Sequence, residues 1–115
     1  MTSILLVEYR PSLLSIREEI LSFIGHPMIC VLGSQAARDL DLTCSSIGVI
    51  VIGHGAAWNE REELIEHFVR TLPTVQVLAL LRREDSEFEG AQYNLPADDP
   101  PRWVRVVTLA LAGVQ

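Results

Sequence analysis

The chain of 115 residues contains no lysine; all nine of its basic residues are arginines. That excludes any mechanism that needs a lysine amine as nucleophile or charge sensor. Cysteine is scarce. Cys30 lies in an apolar run and Cys44 in a loop, without the spacing of a zinc site or a CxxC pair, so the expectation is two reduced thiols in a cytosolic protein. Positive charge is in deficit: nine basic against fifteen acidic residues give −6 at pH 7. That balance repels phosphate backbones and argues against nucleic-acid binding by this domain alone. No apolar run approaches the roughly 20 residues of a membrane span, and the opening MTSILLVEYR has no basic segment followed by a long apolar core. A soluble, cytoplasmic chain without membrane contact is expected. Repeats, low-complexity tracts and linkers are absent too, so residues 1–115 read as one domain.

What the chain does have is apolar character, 49% of its residues, concentrated in short runs. The stretch Ile47 to Asn59, IGVIVIGHGAAWN, organises the rest. Its first half is a β-branched run of the kind buried on both faces of a parallel sheet, and it stops at Gly53-His54-Gly55. Ligands of open parallel sheets collect just past the carboxyl ends of the strands, so chemistry is expected at Gly53 and its neighbours.

In chain order, Ser3 to Val7 reads as a first strand. Pro11 opens a helix whose apolar positions Leu13, Ile16, Ile20 and Phe23-Ile24 recur at helical spacing up to Gly25. Ser15, Arg17, Glu18, Glu19 and Ser22 are assigned to its water face. Met28 to Leu32 is a second strand, and Ser34 is placed as the N-cap of a short helix through about Leu40. Val49 to Ile52 is the third strand. Asn59 is placed as the cap of a third helix, with Glu62 in capping-box position and Leu64, Ile65, Phe68, Val69 and Leu72 as its apolar stripe. Val75 to Leu81 is the fourth strand. Arg82 to Glu89 (RREDSEFE) makes at most two helical turns, and Ala91 to Leu95 a short fifth strand. Arg102 to about Ala112 alternates well enough for a strand, but its position after Pro100-Pro101 and before Gly113 decides for a helix. The order indicates right-handed crossovers and a doubly wound parallel sheet.

With ILLVEYRPSLLSIREEILSFIGH as its opening and GVIVIGHGAAWNEREELIEHFVRTLPTVQVLAL as its middle, the chain resembles the receiver domain of bacterial two-component response regulators. The resemblance implies an α/β, flavodoxin-like (CheY-like) fold with five parallel strands in the order 2-1-3-4-5, helices on both faces, and a shortened fourth helix. It also implies a phosphorylation pocket of five groups, of which this sequence keeps little. Glu8 fills the first of two Mg²⁺-holding acidic positions, but Tyr9 stands at the second. Gly53 occupies the position of the phosphoacceptor Asp, and Leu81 that of the hydroxyl ending strand four. The Lys position falls on Pro96 or Ala97. One carboxylate is a poor start for an ion that wants several hard oxygens, and no acyl phosphate can form at Gly53. The pocket is read as degenerate, with no catalytic residue, metal or cofactor. Tyr93 matches the family's aromatic switch residue, with nothing at Leu81 to sense.

Other candidates are weighed on chemistry. His54, between two glycines at the strand end, is a conceivable anion or phosphohistidine site, although no carboxylate is placed in sequence to orient it. Glu62, Glu63, Glu66 and His67 read as a solvated helix face with Arg61 and Arg70 nearby; His26 reads as a loop residue, and Asp98-Asp99 as caps. The last helix carries more apolar residues than one buried stripe needs. Trp103, Val106, Leu109 and Ala110, with Tyr93, are therefore assigned to a surface for a protein partner or a homodimer. The expectation is a non-enzymatic, phosphorylation-independent signalling and interaction module, read as part of a longer regulator. The competing reading is a small flavodoxin-like domain binding an anionic or phosphate-bearing ligand at the Gly53-His54-Gly55 turn.

Overall fold

A computed structural model describes residues 2–42 and 46–113, so the expectation for Cys44 lies outside the described residues. The elements run β1 (Ser3–Glu8), α1 (Pro11–Ser22), β2 (Met28–Leu32), α2 (Ser34–Arg38), β3 (Ile47–Ile52), α3 (Trp58–Thr71), β4 (Gln76–Leu81), β5 (Tyr93–Pro96) and α4 (Pro100–Gly113). The five strands form one sheet in the order β2-β1-β3-β4-β5, and every pairing is parallel.

The period-two alternation of each strand divides the core in two. Leu5, Val7, Ile50, Ile52 and Val77 point to the face covered by α3, where Leu64, Ile65 and Phe68 meet them. Ile4, Leu6, Val49, Val51, Leu78 and Leu80 point to the other face, against Leu21 of α1 and Trp103, Val107, Ala110 and Leu111 of α4. Glu8 has the parity of Ile4 and Leu6, so its side chain lies on the α1/α4 face. The Gly53 N–H donates to Val7 O at 2.8 Å, which carries the β1–β3 pairing one residue past the strand and sets Gly53 beside Glu8.

Several expectations are corrected. The segment after β4 contains no helix, so the fourth helix of the implied fold is absent among the described residues. RREDSEFE has one large apolar side chain, too little for a buried stripe, and Phe88 goes into the core by itself (2% exposed). There its ring stacks on Trp58 at 4.9 Å and 9°. Its backbone N–H donates to Asn94 Oδ1 at 2.9 Å, and its carbonyl accepts from Asn94 Nδ2 at 3.2 Å. Strand β5 is Tyr93–Pro96, two residues later than Ala91, because this loop consumes the preceding residues.

The assigned caps shift as well. Gly33, at φ 96°, precedes α2 as its cap residue, and Ser34 is the first helical residue. Ala57 caps α3 instead of Asn59, whose Oδ1 accepts from the N–H of Glu60. Arg17 and Arg61, placed on or near water faces, are both buried. On α4, Trp103 and Ala110 are core residues, each 2% exposed, and are removed from the interaction surface. They lie with Val107 and Leu111 on the one stripe that helical spacing turns toward the sheet. The Trp103 Nε1–H also donates to Pro96 O at 2.7 Å.

Candidate functional site

At the carboxyl end of the sheet, Glu8 is fully buried at the tip of β1. Its Oε2 accepts from Arg17 Nη1 of α1 at 2.6 Å. Arg17 lies on the stripe Leu14–Arg17–Leu21–Ile24, facing the sheet, and its guanidinium also lies over the Trp103 ring at 5.1 Å. Burial pushes the Glu8 carboxyl pKa up; the hydrogen bond and charge of Arg17 and the Tyr9 N–H pull against it. The other oxygen, Oε1, is buried without a hydrogen-bond partner.

That oxygen lies over Gly53. A Cβ built there would collide with the whole Glu8 carboxylate. The position matched to the phosphoacceptor therefore has no room for a side chain, because Glu8 fills its space. Next door, a Cβ on Gly55 would meet Tyr9 Cβ at 2.9 Å. The Tyr9 hydroxyl shares a 2.8 Å hydrogen bond with Ser34 Oγ, and Ser34 donates to Glu60 Oε2 at 2.9 Å. This chain of hydroxyls links the β1–α1 turn to α2 and α3. Burial raises the Tyr9 pKa, which keeps the phenol neutral, against the pull of the Ser34 bond.

The geometry does not suit Mg²⁺. The single carboxylate already holds a cation, the Arg17 guanidinium, and the second acidic position carries the Tyr9 ring. Among the described residues no three His, Cys, Asp or Glu side chains gather in a metal-binding group.

His54 is half-buried on the rim of a cleft of about 350 Å³ lined also by Leu81, Arg82, Arg83, Glu84, Ala97 and Asp98. Burial lowers its pKa, and Arg17, Arg82 and Arg61 lower it further. The structure thus brings His54, Leu81 and Ala97 together around one cleft, with Pro96 on a neighbouring one beside Arg82, Arg83 and Arg102. Glu8 and Gly53 are buried behind, and Tyr9 is half-buried beside them. Tyr93 points elsewhere: its hydroxyl donates to Gln76 Oε1 at 2.8 Å.

Sequence reasoning missed the Arg17–Glu8 pair and a second buried pair. Arg61 of α3 is completely buried and donates to Asp85 Oδ1 at 3.0 Å and to Ala56 O at 2.9 Å, with its guanidinium over the Phe88 ring at 5.3 Å. Burial alone would raise the Asp85 pKa, but bonds from Arg61 and from the Arg82 N–H hold it below the usual value. The signal for both arginines was position. Arg17 falls on the 3-4-3 spacing of the inner face of α1, and Arg61 stands three and four residues before Leu64 and Ile65.

No protein-family model matches this sequence, and no curated protein matches it. Solved structures do. A response-regulator receiver-domain protein from Clostridium thermocellum superposes with a TM-score of 0.79 at 16% identity, over 99% of this chain and 94% of that one. The signal receiver domain of an HD-domain protein from Pseudomonas fluorescens gives 0.82 at 15%, over 96% and 94%. A response regulator from Thermotoga maritima, in complex with Mg²⁺ and beryllofluoride, gives 0.78 at 13%, over 96% and 99%. The fold is that of response-regulator receiver domains, CheY-like, with the fourth helix replaced by a loop.

Proposed function

We propose that this chain is a receiver-like protein-interaction module of a bacterial signalling protein that works without phosphorylation and is not an enzyme. The observation that carries this reading is the Glu8 carboxylate lying over Gly53 with Arg17 bound to it. A phosphorylated receiver presents an open acidic cluster to Mg²⁺ and an Asp to the phosphoryl donor. Here one acid has folded onto the place of the other, and an internal guanidinium supplies the positive charge that a metal would bring. The pocket's surroundings are then fixed in one state, and signalling rests on constitutive contacts. Their surface is read as the outer side of α4, Val106 and Leu109, with Tyr93, toward a protein partner or a second copy. Cytoplasmic location and the absence of nucleic-acid contacts by this domain belong to the same reading. Among the described residues no helix is long and apolar enough to cross a membrane.

Incubation with acetyl phosphate or beryllofluoride and Mg²⁺ tests the proposal. Intact mass and amide chemical shifts should stay unchanged. An adduct, or shifts clustered at residues 8, 53 and 81, would reject it.

The cleft beside His54, Arg82 and Arg83 favours a second reading, an anion site next to the Gly53-His54-Gly55 turn. Glu84 and Asp98 on the same wall oppose it. Titration with inorganic phosphate, followed by the His54 ring resonances, separates the two.

A further inference from the structure

Two exposed apolar ridges carry opposite charge. On α1, Ile16 is 54% exposed and Phe23, at the C-cap, 84%. They stand seven residues apart and so share one edge of the helix, with exposed Glu19 between them. On α4, Leu109 is 65% exposed, with Arg105 and Arg102 one and two turns before it on the same side. Residues 100–113 include no carboxylate. Among the described residues, Glu19, Arg102 and Arg105 form no ion pair within the chain.

We propose that the α1 ridge of one copy of this chain docks on the α4 ridge of a second copy, head to tail. The inference rests on reading the outer side of α4 as a contact surface. Charge selects the occupant. Pairing α4 with α4 brings Arg102 and Arg105 toward their own kind, and pairing α1 with α1 does the same for Glu19. Only the unlike pairing sets Glu19 against the arginines while Phe23 and Ile16 cover Leu109. Both copies carry −6, so they repel at long range. That repulsion is screened beyond roughly 10 Å at 0.1 M salt, whereas charges in direct, partly buried contact are screened much less. In a head-to-tail contact each copy turns α1 to one neighbour and α4 to another; such a contact is heterologous, so it leaves a free ridge at each end and builds oligomers larger than two.

Sedimentation velocity of the whole chain and two variants tests this. Phe23→Glu and Leu109→Glu alter exposed side chains, so both fold, as circular dichroism will verify. Wild type should associate with rising concentration, beyond the dimer. Each variant alone should lose that association by about tenfold or more, since each lacks one half of the contact. Mixing the two should give a one-to-one dimer, because one retains the α4 ridge and the other the α1 ridge. If Phe23→Glu still self-associates and Leu109→Glu does not, α4 pairs with itself: the inference falls and the α4 surface stands. Self-association of Leu109→Glu overturns both. A wild-type chain that remains monomeric overturns the inference alone, since the α4 surface then awaits a different protein.

Discussion

The carboxylate of Glu8 occupies the space that a side chain at residue 53 would need, and it is held there by Arg17 at 2.6 Å. One strand tip thus blocks the next. Glycine at 53 and the buried position of Glu8 are one structural fact, because a Cβ at residue 53 would collide with the Glu8 carboxylate.

Placing an Asp at residue 53 should therefore not create a phosphoacceptor. Gly53→Asp forces a second carboxylate against Glu8 in a buried site, and like charges there disfavour ionisation. The variant should be destabilised by about 3–5 kcal/mol, in the range of other uncompensated buried charges. It should also show no mass increase with acetyl phosphate and Mg²⁺. Urea denaturation and intact mass check the two halves.

Removing Arg17 leaves Glu8 buried and unpaired. Arg17→Met should cost about 3–5 kcal/mol, while Glu8→Leu combined with Arg17→Met should recover most of that loss. A double-mutant cycle by urea unfolding measures the coupling. If the two single losses simply add, the pair is not the unit described.

The loop that stands in place of the fourth helix depends on Phe88. Phe88→Ala should destabilise the fold by about 3–5 kcal/mol. The effect should be local as well as global: the Val77 amide, which donates to Gln92 Oε1 at 2.7 Å, should lose hydrogen-exchange protection. Asp85→Ala, which leaves Arg61 buried without its partner, should act in the same direction.

His54 titrates below the ordinary histidine value of 6.5 because burial and the nearby arginines disfavour its charged form. The unfolded chain then binds the proton first, so this residue contributes stability present above pH 6.5 and lost as pH falls through its lowered folded value. Ring resonances followed by NMR should show a midpoint below 6.5. The difference in stability between wild type and His54→Asn should change only in that acid window.

Burial, aided by Glu18, pushes the Cys30 thiol up to about 12. Thiolate is the reactive form, so in a Cys44→Ser background Cys30 should be alkylated by iodoacetamide at pH 8 far more slowly than a free thiol. Unfolding in urea should abolish the difference. Mass spectrometry over time provides the rate.

Much of this architecture was written in local pattern. The β-branched run at Ile47–Ile52, the Pro11 and Pro100-Pro101 helix starts and the alternation of apolar runs with amphipathic segments marked a doubly wound parallel sheet, and the order of its strands followed from the resemblance to receiver domains. The site was less legible. Position by position, the resemblance sets Glu8, Tyr9, Gly53 and Leu81 against the groups of a pocket, but it gives no hint that Arg17 binds Glu8 over Gly53. Pattern alone assigns Arg17 to the water face of α1 and sets Arg61 beside a solvated acidic face, because arginine is usually exposed. Trp103 reads as partner surface because its helix is apolar almost all round in sequence.

Which runs become strands or helices, and the glycine at residue 53, are properties of the sequence alone: residue identity at a strand end needs no coordinates, and periodicity specifies which runs can be buried. Which partner satisfies a buried charge is different. Glu8 and Arg17 are nine residues apart, and Arg61 and Asp85 twenty-four, so only the packing of α1 and α3 on the sheet could bring each pair together and exclude the water that would otherwise have weakened it.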